Sequence, residues 1–165
     1  MMTSTDQLSA TITVDHTPDE VFSATTNVRG WWSENIIGAT AELHDEFVFT
    51  DDSESPGETA RSGEGIRFAR FRLTEVVPGQ RMVWHVVDSY LAFIEDHEEW
   101  TDTRVVFDLS TGRDGTTVEF THEGLTEAGS DCFEACSQGW TYYITRSLPQ
   151  LIATGTGLPI TAYDA

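Results

Sequence analysis

The chain is 165 residues long and carries 9 Arg and no Lys against 28 Asp and Glu, a formal net charge of −19. This length predicts one domain, and a hydrophobic fraction of 39% that includes five Trp and nine Phe brings enough apolar area to exclude a disordered chain. The charge excludes nucleic acid and anionic membrane surfaces as partners, because both are held by clustered Lys and Arg.

In chain order, residues 1–7 are expected to be a flexible N-terminus. Leu8, Ala10, Ile12 and Val14 then alternate as one face of a half-buried strand. Thr17-Pro18-Asp19-Glu20 reads as a capping box with Pro at the first helical position, opening a short helix through Val21, Phe22 and Ala24. Gly30 is expected to interrupt it before a second short helix at Trp31-Trp32-Ser33. A strand follows around Glu46–Phe49, and 51–64 reads as an acidic loop from its Ser, Pro, Gly and charge content. In 66–77 the apolar parity changes between Phe68 and Phe71, predicting a bulge near Ala69. Pro78-Gly79 marks a turn into a strand over Arg81–Val87, with Met82, Trp84 and Val86 on one side and His85 on the other.

The stretch 94–102 reads as a second acidic loop. Val105, Phe107 and Leu109 alternate on the next strand, Gly112–Gly115 makes a hairpin turn, and Val118, Phe120 and His122 alternate on the return, which Gly124 is expected to end. From about Ser130 to Thr154 the spacing of Cys132, Cys136, Trp140, Tyr143, Ile144, Leu148 and Leu151 is helical, with a kink expected one turn before Pro149 and a stop at Gly155 and Gly157. Residues 158–165 are a tail. One domain over 8–157 thus holds a strand, two short helices, a run of antiparallel strands and one long helix, an α+β order.

Twenty-eight carboxylates without a lysine repel one another unless salt screens them, which predicts a halophilic, salt-adapted protein. The start MMTSTDQLSA has neither a basic nor an apolar leader segment, and no run of about 18 apolar residues occurs, so a cytoplasmic location is expected. Cys132 and Cys136, four apart on one helical face, are expected to be reduced and buried. They could in principle meet His122 and Glu123, but the spacing matches no usual metal pattern, and neither metal nor cofactor is expected.

Five segments in this order resemble the helix-grip fold of the SRPBCC or START-like superfamily, and more narrowly the family of the C-terminal domain of the heat-shock-protein-90 ATPase activator. They are Thr17–Phe22, Arg29–Trp32, Val77–Trp84, Gly115–Leu125, and Gly139-Trp140 with Leu148–Leu151. The resemblance implies a curved antiparallel sheet wrapped around the long C-terminal helix, with a cavity between them that many relatives use for apolar molecules such as lipids, polyketides or flavonoids. The eukaryotic activator also has an N-terminal domain with an Asn- and Trp-rich motif. Neither is present here, which sets a chaperone ATPase co-regulator behind the other readings.

The inward residues would be Trp32, Phe71, Met82, Trp84, Phe107, Phe120, His122, Trp140 and Tyr143. A wall of large apolar rings with few polar groups suits an apolar or aromatic ligand, although the same rings could interdigitate as solid core. The expected function is binding of such a molecule without catalysis, by a monomer or a homodimer. The alternative is a cyclase- or dehydratase-type enzyme in which His122 is a general base and Tyr143 donates to a developing oxyanion.

Overall fold

The computed structural model describes residues 7–50, 66–91, 97–126 and 133–159. Their elements are β1 (Gln7–Val14), α1 (Pro18–Thr26), α2 (Val28–Trp31), β2 (Ile36–Gly38), β3 (Glu46–Phe49), β4 (Ile66–Val77), β5 (Arg81–Leu91), β6 (Arg104–Gly112), β7 (Gly115–Thr126), α3 (Phe133–Tyr142), a π-helical turn (Tyr143–Ser147) and α4 (Leu148–Thr154). The seven strands form one antiparallel sheet in the order β1-β7-β6-β5-β4-β3-β2. Its apolar face curves around the C-terminal helix, so the fold is the α+β helix grip.

Each element has a local cause. The Thr17 hydroxyl accepts from Glu20 N at 3.1 Å, and the Glu20 carboxylate accepts from Thr17 N at 3.1 Å, so the capping box starts α1 as the sequence predicts. The bulge expected near Ala69 falls on the partner strand instead: Arg70 pairs with Asp88 and Phe71 with Val86, so Val87 of β5 is the extra residue, while Ala69, Phe71 and Leu73 reach the interior by plain alternation. Pro149 lacks an N–H and its ring would clash with the carbonyl four residues back. The expected kink is therefore a π-helical turn, in which Leu148 N donates to Tyr143 O. Gly155, at φ 88°, closes α4.

Several expectations need correcting. Gly30 lies inside α2, which begins at Val28, rather than interrupting the chain before it. The three-residue strand β2 carries too little pattern to be seen in sequence. β5 runs on to Leu91, and β7 passes through Gly124 instead of ending there. Cys136 is disulfide-bonded rather than reduced. The other cysteine, Cys132, and the acidic loop 51–64 lie outside the described residues. Among the described residues no helix is long and apolar enough to cross a membrane, and no group of three or more His, Cys, Asp or Glu is placed to hold a metal ion.

The outward face of the sheet is laced by cross-strand ion pairs: Arg72 with Glu46, Arg81 with Glu75 and Asp108, and Arg104 with Glu123. Each is largely solvated and contributes little alone. Together they place scarce positive charge between carboxylates that would otherwise face one another.

Candidate functional site: an aromatic interior with a buried polar chain

The inward faces of β3 to β7 meet the helices across a continuous set of aromatic rings. Alternation along β4, β5, β6 and β7 delivers Phe71, Met82 and Trp84, Phe107, and Phe120 and His122, all fully buried. Cross-strand register seats Met82 beside Phe107, Trp84 beside Val105, and Phe107 beside Phe120. Phe71 lies 5.3 Å and Phe107 4.9 Å from Trp84 between ring centres, and Phe107 lies 5.4 Å from Phe120.

Trp31 and Trp32 enter this wall from the end of α2. The Trp31 indole donates to Thr25 O at 2.9 Å, and Ser147 Oγ, from the π-helical turn, donates to Trp31 O at 2.7 Å. Ser147 Oγ also accepts from Leu158 N at 2.7 Å. Gly157 is needed in that junction, since a Cβ there would lie 2.4 Å from Gly30 O. So anchored, Trp32 stacks 4.1 Å from Phe49 and lies 4.7 Å from Trp140.

Eight of the nine residues singled out in the sequence therefore line one buried region: Trp32, Phe71, Met82, Trp84, Phe107, Phe120, His122 and Trp140. Tyr143 sits at its margin, half-buried in the π-helical turn with its ring edge-on to Tyr142 at 5.0 Å. His85 is on the outer side as expected, 3.2 Å from Asp102.

Sequence reasoning missed Trp100, which comes from the stretch read as an acidic loop. It is 2% exposed and stacks on Trp140 at 5.9 Å with planes 17° apart. The turn that carries it is sewn to β5: Leu91 N donates to His97 O, Asp102 N to Val86 O, and Val86 N to Thr103 O. Asp102 sits at φ 70°, a left-handed conformation that Asp tolerates better than most residues. The signal available in sequence was one large ring among acids, which has no period to mark it as buried.

His122 is the centre of a buried polar chain. An indole N–H can only donate, so the 3.1 Å contact from Trp140 Nε1 makes His122 Nδ1 the acceptor. The proton then resides on Nε2, which donates to Thr103 Oγ1 at 2.8 Å, and Thr103 Oγ1 donates to Trp100 O at 2.5 Å. Gly124, at φ 103°, makes the approach possible, because a Cβ there would stand 2.7 Å from the Thr103 methyl. Full burial pushes the His122 pKa down from 6.5 to about 3, so the imidazole is neutral.

Not every donor in the interior is satisfied. The indole N–H groups of Trp84 and Trp100 are buried and have no hydrogen-bond partner among the described residues, as is also true of Asn35 Nδ2 beyond α2. Trp31 and Trp140, by contrast, both find acceptors.

With this geometry in hand, the chain can be set beside known proteins. A family model described as Activator of Hsp90 ATPase homolog 1-like protein matches residues 15–153. No curated protein matches the chain. Among solved structures, the chain is similar to the Aha1 dimer of Colwellia psychrerythraea, at TM-score 0.65 and 21% identity over 92% of this chain and 98% of that one. It is also similar to protein SSP2350 of Staphylococcus saprophyticus, at TM-score 0.65 and 12% identity over 94% and 98%. CalU16 of Micromonospora echinospora aligns at TM-score 0.59 and 19% identity over 88% and 74%. At these identities the solved structures speak to the fold alone.

Proposed function

Since the chain belongs to the Activator of Hsp90 ATPase homolog 1-like family, we propose that it is a helix-grip binding protein that holds an apolar or aromatic small molecule between the sheet and the C-terminal helix, without catalysis. The observation that carries this reading is the pair of unpartnered indole N–H groups, Trp84 Nε1 and Trp100 Nε1, inside an otherwise apolar wall. A buried donor without an acceptor costs about 1–3 kcal/mol, so a purely structural core selects against two of them. A ligand that fits the wall and supplies acceptors removes that cost.

The same geometry weighs against the cyclase or dehydratase alternative. A general base needs a free lone pair and a pKa near the working pH. The one lone pair of His122 is taken by Trp140, and burial holds the ring far below neutral pH as an acid. His122 is read instead as the structural link that fixes Trp140 and the Trp100 turn. The solved Colwellia relative is a dimer, which supports a homodimer here.

The test is to purify the protein in molar KCl, extract it with organic solvent and examine the extract by mass spectrometry. The expected result is a stoichiometric apolar compound that is lost from Trp84→Ala and Trp140→Ala preparations. An empty extract, combined with no thermal shift from a panel of aromatic compounds, would make the interior a solid core and overturn the reading.

Salt adaptation belongs to the same proposal. The screening length falls from about 30 Å at 0.01 M salt to about 3 Å at 1 M, which removes most of the self-repulsion of a −19 chain. We expect Tm to rise as KCl goes from millimolar to molar, by about 2–4 °C for each kcal/mol of repulsion relieved in a domain of this size. A Tm that stays flat or falls in a calorimetric KCl series would rule the adaptation out.

A further inference from the structure

The sheet ends at β2, and the backbone of that edge strand is oriented in a defined way. Ala39 N donates to Glu46 O at 3.1 Å and Thr50 N to Asn35 O at 3.3 Å, so by alternation Asn35, Ile37 and Ala39 turn their backbone groups toward β3. Those of Ile36 and Gly38 therefore point away from the sheet. Such an edge is a template on which another strand can pair.

The strand carries none of the usual protections of its own. Asn35–Ala41 holds no charge and no Pro, in a chain of net charge −19. Ile37, in its middle, is 76% exposed, more than any other large apolar side chain among the described residues. Pairing with a second copy about a two-fold axis at Ile37 sets Ile36 of each copy opposite Gly38 of the other, in hydrogen-bonding register. It also sets Glu34 opposite Thr40, so like charges do not face each other directly.

The protection comes from α2. Arg29 Nε donates to Ile36 O at 3.0 Å and Nη2 donates to Gly38 O at 2.8 Å, so one guanidinium occupies both outward carbonyls. Arg72, Arg81 and Arg104 lie against carboxylates. Arg29, one of nine cations among 28 acids, is instead committed to two neutral oxygens. The Thr40 hydroxyl donates to Thr26 O at 2.8 Å, which ties the far end of the same segment to α1 and holds edge and guanidinium in one frame.

We infer that the β2 edge is a pairing surface for a second copy of this chain, and that Arg29 keeps it shut by occupying the carbonyls to which the second copy's backbone N–H groups would donate. The surface is separate from the aromatic interior, and a homodimer of the wild-type protein uses another face.

Sedimentation equilibrium over a range of protein concentrations in molar KCl compares wild type with Arg29→Ala and Arg29→Lys. Arg29→Ala should gain an association step beyond the assembly of wild type, tightened at least about tenfold by the freed carbonyls. Arg29→Lys should gain it too, because one ammonium cannot hold two carbonyls about 6.6 Å apart along a strand. To locate the step, Ile37→Cys is placed in each background and exposed to a mild copper oxidant. Ile37 faces its own copy across the axis as a non-hydrogen-bonded pair, a spacing that a disulfide spans. Cross-linked dimer should form in the Arg29 variants and not with Arg29 intact.

A folded Arg29→Ala that assembles as wild type does would make Arg29 a tie between α2 and β2 and overturn the inference. An association step without cross-linking at position 37 would place it on another surface and overturn it equally, as would equal cross-linking with Arg29 intact. Arg29→Lys decides the case if Arg29→Ala does not fold, and Arg29→Lys behaving as wild type would show that charge, not occupancy of the carbonyls, is what matters.

Discussion

Trp84→Ala is expected to destabilise the protein by about 3–5 kcal/mol, a fall in Tm of about 10 °C. Trp84 is fully buried, and its ring lies 6.1 Å from Trp32, 5.1 Å from Phe47, 5.3 Å from Phe71 and 4.9 Å from Phe107. Removing it opens a cavity where β3, β4, β5, β6 and α2 all meet, and five surrounding rings, Trp31 at 6.4 Å included, lose a packing partner at once. Trp84→Phe should cost roughly half as much, because a phenyl ring keeps most of those contacts and the indole N–H has no protein acceptor to lose.

Trp140→Phe makes the contrast sharper. It too keeps a ring, but it leaves His122 Nδ1 without its donor, so it should cost more than Trp84→Phe. Urea unfolding of the three variants in molar KCl checks the order. A Trp84→Phe variant as unstable as Trp84→Ala would mean that this N–H is satisfied within the protein after all.

The second large effect is on pH dependence. The folded-state pKa of His122 is depressed from 6.5 to about 3 by burial, so between those values the unfolded chain binds a proton that the folded chain refuses. Stability is therefore undiminished above about pH 6.5 and falls as pH drops through that window, by about 1.4 kcal/mol per unit. At pH 5 this single residue should cost the protein about 2 kcal/mol relative to pH 7.5.

Every other ionisable group is common to wild type and His122→Gln, so those two proteins are compared. Glutamine can still accept from Trp140 and donate to Thr103 but does not titrate. The difference in unfolding free energy between the two proteins should change by about 2 kcal/mol between pH 7.5 and 5. A constant difference would show that His122 is not held neutral in the folded protein.

How much of this was legible in the chain depends on the range of the interaction involved. The capping box at Thr17 and Glu20 and the hairpin at Gly112–Gly115 rest on neighbours a few residues apart, and the structure has both, whereas the bulge expected near Ala69 falls on β5 at Val87, because which strand takes the extra residue is settled by the pairing between them. The alternation of Met82, Trp84 and Val86, and of Phe107, Phe120 and His122, announced which way each side chain would face. Trp100 was not legible, because its burial is imposed by backbone pairing with β5 and by a left-handed Asp102, neither of which leaves a periodic trace. Strand β2 was missed for a similar reason: three residues hold less than two periods of a strand.

His122 shows the boundary most clearly. Its inward parity beside Phe120 could be read in sequence, but whether it is a base or a structural link depends on partners 18 and 19 residues away along the chain, Trp140 and Thr103. By itself the sequence determined the element order, the sheet's inward face, the acidic surface and the family resemblance, because local propensity and the burial of apolar area act through periodicity and composition. Only the tertiary structure decided which donors are satisfied, which ring closes the wall from an acidic turn, and which lone pair of His122 is engaged. Those outcomes are set by distances of a few tenths of an ångström between segments remote in the chain, and hydrogen bonds, unlike apolar burial, are lost at that scale.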